Sequence, residues 1–172
     1  MNIHLGYRPG CIGRITEMHA AYYASAVGFG ARFEAKVATE LSAFLMDYVE
    51  GRDGLWLALD GDRIEGAIAI DGSHYPENGA HLRWFIASNA TRGTGVGAML
   101  LSAALAFCKS RSYRKVYLWT FDELHAARHL YEKHGFKLSR SQRGSQWGKE
   151  VNEQLFTLVD ANHDHHHATQ PA

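Results

Sequence analysis

Cysteine is scarce in this chain, long apolar runs are missing, and neither sign of charge prevails. Each lack closes off a class of function. The two cysteines, Cys11 and Cys108, lie far apart in unlike contexts, which leaves no basis for a disulfide-stapled framework. Cys11 is expected in a loop as a half-exposed thiol, and Cys108 as a small core residue on an apolar-rich helix. The longest nearly apolar run, Val96 to Cys108, falls short of the roughly 20 residues that cross a bilayer. No apolar N-terminal core has the look of a signal peptide. A cytoplasmic location without a membrane partner is therefore the expectation. Lys plus Arg number 18, as do Asp plus Glu, so no net charge draws the chain to nucleic acid. No internal repeat is visible, and no Gly-Lys-Ser/Thr follows a glycine loop, which removes the P-loop class.

What is present is the make-up of an ordinary globular domain, 46% hydrophobic and 21% charged, in a chain of 172 residues, the size of one domain with a substantial core. Met1 to Tyr7 alternates as a strand, and Arg8-Pro9-Gly10 breaks it. Helical periods follow over Ile12 to Val27 and Phe33 to Tyr48. Leu55 to Leu59, Asp60-Gly61-Asp62 and Arg63 to Ile70 read as a hairpin with its turn. Asp71 to Gly79 is a polar loop, Leu82 to Ala87 a strand, Gly95 to Arg111 a helix, and Lys115 to Thr120 a strand. A helix then ends near Phe136. Phe136 to Ser141 and Glu153 to Val159 are two last strands joined by the loop 142–152. The order of elements implies a mixed α/β sheet with helices on both faces. The domain is placed at residues 1–160, and the His-rich tail 161–172, with Asn162 to His167, is read as a disordered end and not as a metal site.

The chain is organised around residues 80–101, where a strand becomes a helix through Gly93, Gly95 and Gly97. Such a turn strips side chains from the place where a helix presents unpaired N–H groups and the positive end of its dipole. A phosphate or pyrophosphate is the natural guest, with Arg92 a charged donor at the rim. Gly93-Thr94-Gly95-Val96-Gly97-Ala98 also satisfies the loose dinucleotide fingerprint G-x-G-x-x-A. That fingerprint needs an acid about 20 positions on, where this chain has Tyr113-Arg114-Lys115.

What remains is Arg92-x-x-Gly95-x-Gly97, which resembles the coenzyme A loop Q/R-x-x-G-x-G/A of the GCN5-related N-acetyltransferases. Downstream, Ala127, Tyr131, Gly135 and Phe136 fall on that family's helix pattern A-x-x-x-Y-x-x-x-G-F. The resemblance covers most of residues 2–160. Tyr7-Arg8-Pro9-Gly10 and Arg32-Phe33-Glu34 are most similar to the acetyltransferase halves of MarR-type regulator fusions.

The resemblance implies a mostly antiparallel sheet of about seven strands, splayed between the fourth and fifth. It implies an N-acetyltransferase that uses acetyl-coenzyme A and no metal, acting on the amine of a small molecule or peptide, with a homodimer as an option. The amides of Gly93, Thr94, Gly95, Val96 and Gly97, with Arg92, would hold the pyrophosphate, and Phe85, Ile86 and Ala87 would pair with the pantetheine arm. Tyr131 would serve the leaving sulfur, although it could also be a core tyrosine. Where relatives hold a strand glutamate, this chain offers His81 and Arg83, so His81, acting through a water, is the candidate base beside Glu17, Glu34 and Glu40. Glu17, Tyr22 and Glu34 are the candidate acceptor contacts, and the acidic helix residues lean towards a cationic acceptor. A non-catalytic acyl-coenzyme A sensor is the other reading.

Overall fold

Near-continuous burial of two neighbouring strands, β2 (Gly54–Asp60) and β3 (Arg63–Asp71), requires cover on both faces of the sheet that holds them. The structure is a computed structural model that describes residues 1–160. The remaining elements are β1 (Asn2–Leu5), α1 (Cys11–Val27), α2 (Ala31–Met46), β4 (Ala80–Ala87), α3 (Val96–Ser110), β5 (Lys115–Phe121), α4 (His125–Lys133), β6 (Lys137–Gly144) and β7 (Val151–Val159). One seven-stranded sheet has the order β1-β2-β3-β4-β5-β7-β6. Its pairs are antiparallel except β4 with β5, which run parallel.

Side-chain alternation along the strands builds two cores. Leu55, Leu57 and Leu59 of β2, with Trp84 and Ile86 of β4, meet Ile15 and Met18 of α1 and Phe33, Val37, Leu41 and Phe44 of α2. On the other face Trp56, Ile68, Ile70 and Leu82 meet Val96, Leu100, Leu101, Ala104 and Cys108 of α3 and Tyr131 of α4. Cys108 is the expected core residue, and burial pushes its thiol up to about 12. Cys11 is not the expected loop thiol. It is the first residue of α1 and wholly buried, because the turn through Gly10, at φ 89°, delivers it to the helix face that also carries Ile15. Both cysteines are free.

Several boundaries differ from the sequence reading: β4 begins at Ala80 and not Leu82, and α4 ends at Lys133 and not near Phe136, since Gly135 takes φ 94°. β1 stops at Leu5 because Gly6 takes φ 95°, and α2 is shifted towards the N-terminus by about one half turn. The expected loop 142–152 shrinks to 145–150, since Gln142, Arg143 and Gly144 pair with Glu153, Asn152 and Val151. β6 is a polar, largely exposed edge strand, so it carries no apolar alternation to announce its end.

The feature that makes the site is a parting of the sheet. β4 and β5 pair only at Ala80 with Val116 and His81 with Tyr117, and from Leu82 onward they diverge. On its other side, the register of β4 with β3 jumps from Arg83 opposite Ala69 to Ile86 opposite Ala67. This is a bulge of one residue, with Trp84 at φ 49°. A bulge adds bend and twist to its strand, which turns β4 away from β5 at this point.

Candidate active site

A cavity of ≈ 860 Å³ fills the parting, lined by β4 from His81 to Ala87, β5 from Leu118 to Phe121, residues of α1, α2 and α4, and the glycine loop. At the loop end, Gly93 and Gly95 have φ 77° and 88°, and a Cβ on either would touch nothing within 4 Å. The space over the backbone is therefore open, and glycine is needed there for its left-handed conformation. Among the described residues, the N–H groups of Gly93, Gly95, Val96, Gly97 and Ala98 have no protein acceptor. Five bare donors at a helix N-terminus form an anion cradle. At Gly97 an added Cβ would make ordinary van der Waals contact, 3.4 Å from Phe85 of β4 and 3.5 Å from Leu130 of α4.

Glu65 of β3 anchors this loop. It is 5% exposed, receives Arg63 Nε at 2.6 Å and lies 3.6 Å from Arg14, and accepts from the Ser88 hydroxyl. Its carbonyl also accepts from Ser88 N at 2.8 Å and from Thr91 Oγ1 at 3.2 Å. Arg92 is exposed; its Nε donates to Asn89 at 3.0 Å and its guanidinium lies 3.8 Å over the Tyr22 ring. Tyr22 therefore links α1 to the rim of the cradle.

Along the gap, the β4 edge at Phe85, Ile86 and Ala87 faces the cavity without β5 partners, so its backbone groups are available to an extended ligand. Tyr131 lines the cavity from α4 with 6% exposure, its ring 6.0 Å from Phe85 and 5.9 Å from Phe136. Its hydroxyl has no hydrogen-bond partner among the described residues. Burial, with Tyr23 nearby, raises its pKa well above the usual tyrosine value, so it keeps its proton and can donate.

His81 stacks on Tyr117 at 4.4 Å. Burial, reinforced by Arg83, pushes its pKa down to about 3. Such an imidazole is neutral and weakly basic. Arg83 donates to Glu40 at 2.5 Å, lies 4.2 Å over the Trp84 ring and approaches Asp71 at 4.0 Å. Lys36 takes the other oxygen of Glu40 at 2.6 Å.

The far wall is aromatic, built by Tyr22 and Tyr23 of α1, Phe33 of α2, Phe121 of β5 and Trp147 of the β6–β7 loop. That loop is pinned over the cavity. Buried Glu153 accepts from Gln146 N and Nε2 at 3.3 and 3.0 Å, and Lys149 donates to the Val27 carbonyl at 2.8 Å. Trp147 then rests 5.6 Å from Phe121.

The structure gathers Tyr22, His81, Phe85, Ile86, Ala87, Arg92, Gly93, Gly97 and Tyr131 at the cavity, with Thr94, Gly95 and Val96 completing the loop. It does not bring Glu17 or Glu34 there. Glu17 is exposed beside Arg14, and Glu34 lies in a shallow groove between α1 and α2. Sequence reasoning gave no role to Glu65 or Phe121 and none to Trp147, whose signal was an aromatic residue in an otherwise polar, glycine-bearing loop. The His-rich tail lies outside the described residues, among which no group of three or more His, Cys, Asp or Glu is placed to hold a metal ion.

The acetyltransferase (GNAT) family model matches residues 15–136. No curated protein matches the chain. Among solved structures, a GNAT-family acetyltransferase from Staphylococcus aureus superposes with TM-score 0.70 at 18% identity, over 92% of this chain and 99% of that one. A ribosomal-protein-alanine N-acetyltransferase from Brucella melitensis gives 0.71 at 12% identity, over 93% and 100%. A spermidine N-acetyltransferase chimera from Vibrio cholerae gives 0.66 at 17% identity, over 92% and 96%. At these identities the structural likeness is one of fold. The family match spans most of the chain and includes the glycine loop, the parted strands and the Tyr131 helix, so the chain belongs to the acetyltransferase (GNAT) family.

Proposed function

We propose that the protein is an N-acetyltransferase that moves an acetyl group from acetyl-coenzyme A to a primary amine of a small molecule or peptide by direct attack. One observation carries the reading: the bare amides of Gly93 and Gly95 to Ala98 open onto a cavity that continues between β4 and β5. A pyrophosphate fits the amides and an extended amide-bearing arm fits the unpaired β4 edge, so the residues present suit this co-substrate. When bound, it would supply a thioester carbonyl for the amine to attack and a thiolate to leave.

The chain's own residues have separable tasks. Arg92 and the amides of Gly93, Gly95, Val96, Gly97 and Ala98 anchor the anionic end, whereas Thr94, expected among these donors, gives its N–H to the Thr91 carbonyl at 3.2 Å and holds the loop's path. Phe85, Ile86 and Ala87 fix the direction of the arm through their backbone. Orientation of this kind can supply about 7–11 kcal/mol of a barrier. Tyr131 donates a hydrogen bond to the departing sulfur. The proton lost by the amine passes to cavity water, with His81 accepting a hydrogen bond from that water and not taking the proton itself, as its low basicity requires. Tyr22 shapes the acceptor end. Glu17 and Glu34 lie outside the cavity and take no part in this scheme.

The missing strand carboxylate and the weak basicity of His81 favour a second reading, an acyl-coenzyme A-binding module without turnover. Thiol release measured with acetyl-coenzyme A across amines, amino acids, polyamines and peptides tests the proposal. Release that depends on an amine supports transfer, whereas tight coenzyme A binding without release supports the module. Within the family, Tyr7-Arg8-Pro9-Gly10 and Arg32-Phe33-Glu34 side with the acetyltransferase halves of MarR-type fusions. No helix among the described residues is long and apolar enough to cross a membrane. A cytoplasmic location and a homodimer belong to the proposal as well.

A further inference from the structure

The acceptor end of the cavity is chemically lopsided. Two carboxylates line it. Both oxygens of Glu40 are taken, one by Lys36 at 2.6 Å and one by Arg83 at 2.5 Å. Glu123 is exposed, on the turn between β5 and α4. Lys36 and Arg83, the partners of Glu40, line the same space, so a second ammonium on an acceptor would find no free inner carboxylate to receive it.

The wall itself is made of rings. Tyr22 packs edge-on to Tyr23 at 5.0 Å, Tyr23 packs on Phe33 at 5.0 Å and Phe121 at 5.9 Å, and Phe121 packs on Trp147 at 5.6 Å. These residues come from two helices, a strand and a loop: Phe33 and Phe121 belong to the core and show only an edge to the cavity, while Tyr22, with Arg92 over its ring, and Trp147 are half-buried at its border. Among the described residues, the hydroxyls of Tyr22 and Tyr23 have no hydrogen-bond partner. His19 lines the same cavity. Its Nδ1 faces the Ile15 carbonyl at 2.8 Å and must carry the proton, which leaves a lone pair on Nε2 without a partner among the described residues.

We propose that the acceptor amine is carried on a flat, uncharged apolar body, an aralkylamine, seated among Tyr22, Phe33, Phe121 and Trp147. Offset and edge-on ring contacts reward a planar group beyond simple burial. This assignment deepens the acetyl-transfer reading and rests on it for the chemistry, but its binding component is measurable alone.

The test compares phenethylamine, n-hexylamine and spermidine as acceptors of the full-length protein. Thiol release from acetyl-coenzyme A reports turnover, and calorimetry with the amine alone reports binding. Phenethylamine should exceed both others in kcat/KM by about tenfold or more. That ratio should fall towards one in Trp147→Ala, and in Phe33→Leu as a second, milder variant. Equal or better use of spermidine or n-hexylamine would overturn the assignment, as would a phenethylamine preference untouched by both variants. If no amine releases thiol yet phenethylamine binds and Trp147→Ala weakens that binding, the aromatic seat stands and acetyl transfer falls. No binding and no turnover of phenethylamine sinks the assignment outright.

Discussion

His19 and His81 stay neutral inside the folded protein, held down to about 4 and about 3, in each case first by burial. In the unfolded chain a histidine titrates near its ordinary value of about 6.5. Both folded values are depressed, so the unfolded state takes up protons first as pH falls. Stability is then full above about pH 7 and declines as pH drops through 6.5 towards 4, with a slope of up to about 1.4 kcal/mol per pH unit per histidine. Urea unfolding at pH 7 and pH 5 should therefore give a lower midpoint at pH 5. His19→Gln should flatten that difference; an unchanged midpoint in the native chain would contradict the burial account. Tyr131→Phe removes only the hydroxyl and should lower turnover by about tenfold or more while leaving coenzyme A affinity nearly intact by calorimetry. Tyr131 was legible in the sequence because its pattern is local, running from Ala127 to Phe136. Glu65 was not, because its meaning lies in Arg14, Arg63 and Ser88, which meet it only after the sheet has formed. Glu17 and Glu34 show the reverse: acidic residues on helices of the right region, turned outward by a periodicity whose apolar stripe belongs to Ile15, Met18, Phe33 and Val37.

Among the elements, the stretch from Ser88 to Ala98 is the most exacting, since it must hold a sharp backbone path while exposing its donors. Gly95 is in the left-handed region, where a side chain costs about 1–2 kcal/mol. Gly95→Val should lower thermal stability modestly and weaken coenzyme A binding far more, because the new side chain stands in the open space above the amides; calorimetry and a melting curve separate the two. Glu65→Gln should also weaken coenzyme A binding, through a loosened loop and not through a lost contact, so Tyr131-dependent chemistry at saturating co-substrate should persist. The β2–β3 hairpin was readable from Asp60-Gly61-Asp62 and flanking apolar runs, and α3 from apolar residues spaced along one helix face. The ends of β6 and β7 escaped because an exposed edge strand is held by backbone pairing to its neighbour, and backbone pairing leaves no mark on residue type.

Across the whole molecule, co-substrate binding and folding are linked. A ligand held only by the native state at about 100 times its Kd adds about 2.7 kcal/mol, which for a domain of this size raises Tm by about 5–10 °C. Such a shift should appear with coenzyme A and vanish in Gly95→Val; its absence in the native chain would count against the anion cradle. The succession of strands and helices was largely legible from periodicity and turn residues. The insertion of β7 between β5 and β6 was not, since it depends on which edge is open when the last strand arrives.

The join between the four-strand and three-strand parts of the sheet is only two rungs deep, at Ala80 with Val116 and His81 with Tyr117. A linear ligand that pairs with β4 beyond that point is a missing rung as much as a reactant. With it in place the hydrogen-bonded layer gains continuity where the chain alone leaves a notch. Amide exchange in β4 and β5 should accordingly slow on its arrival, even at positions it does not touch.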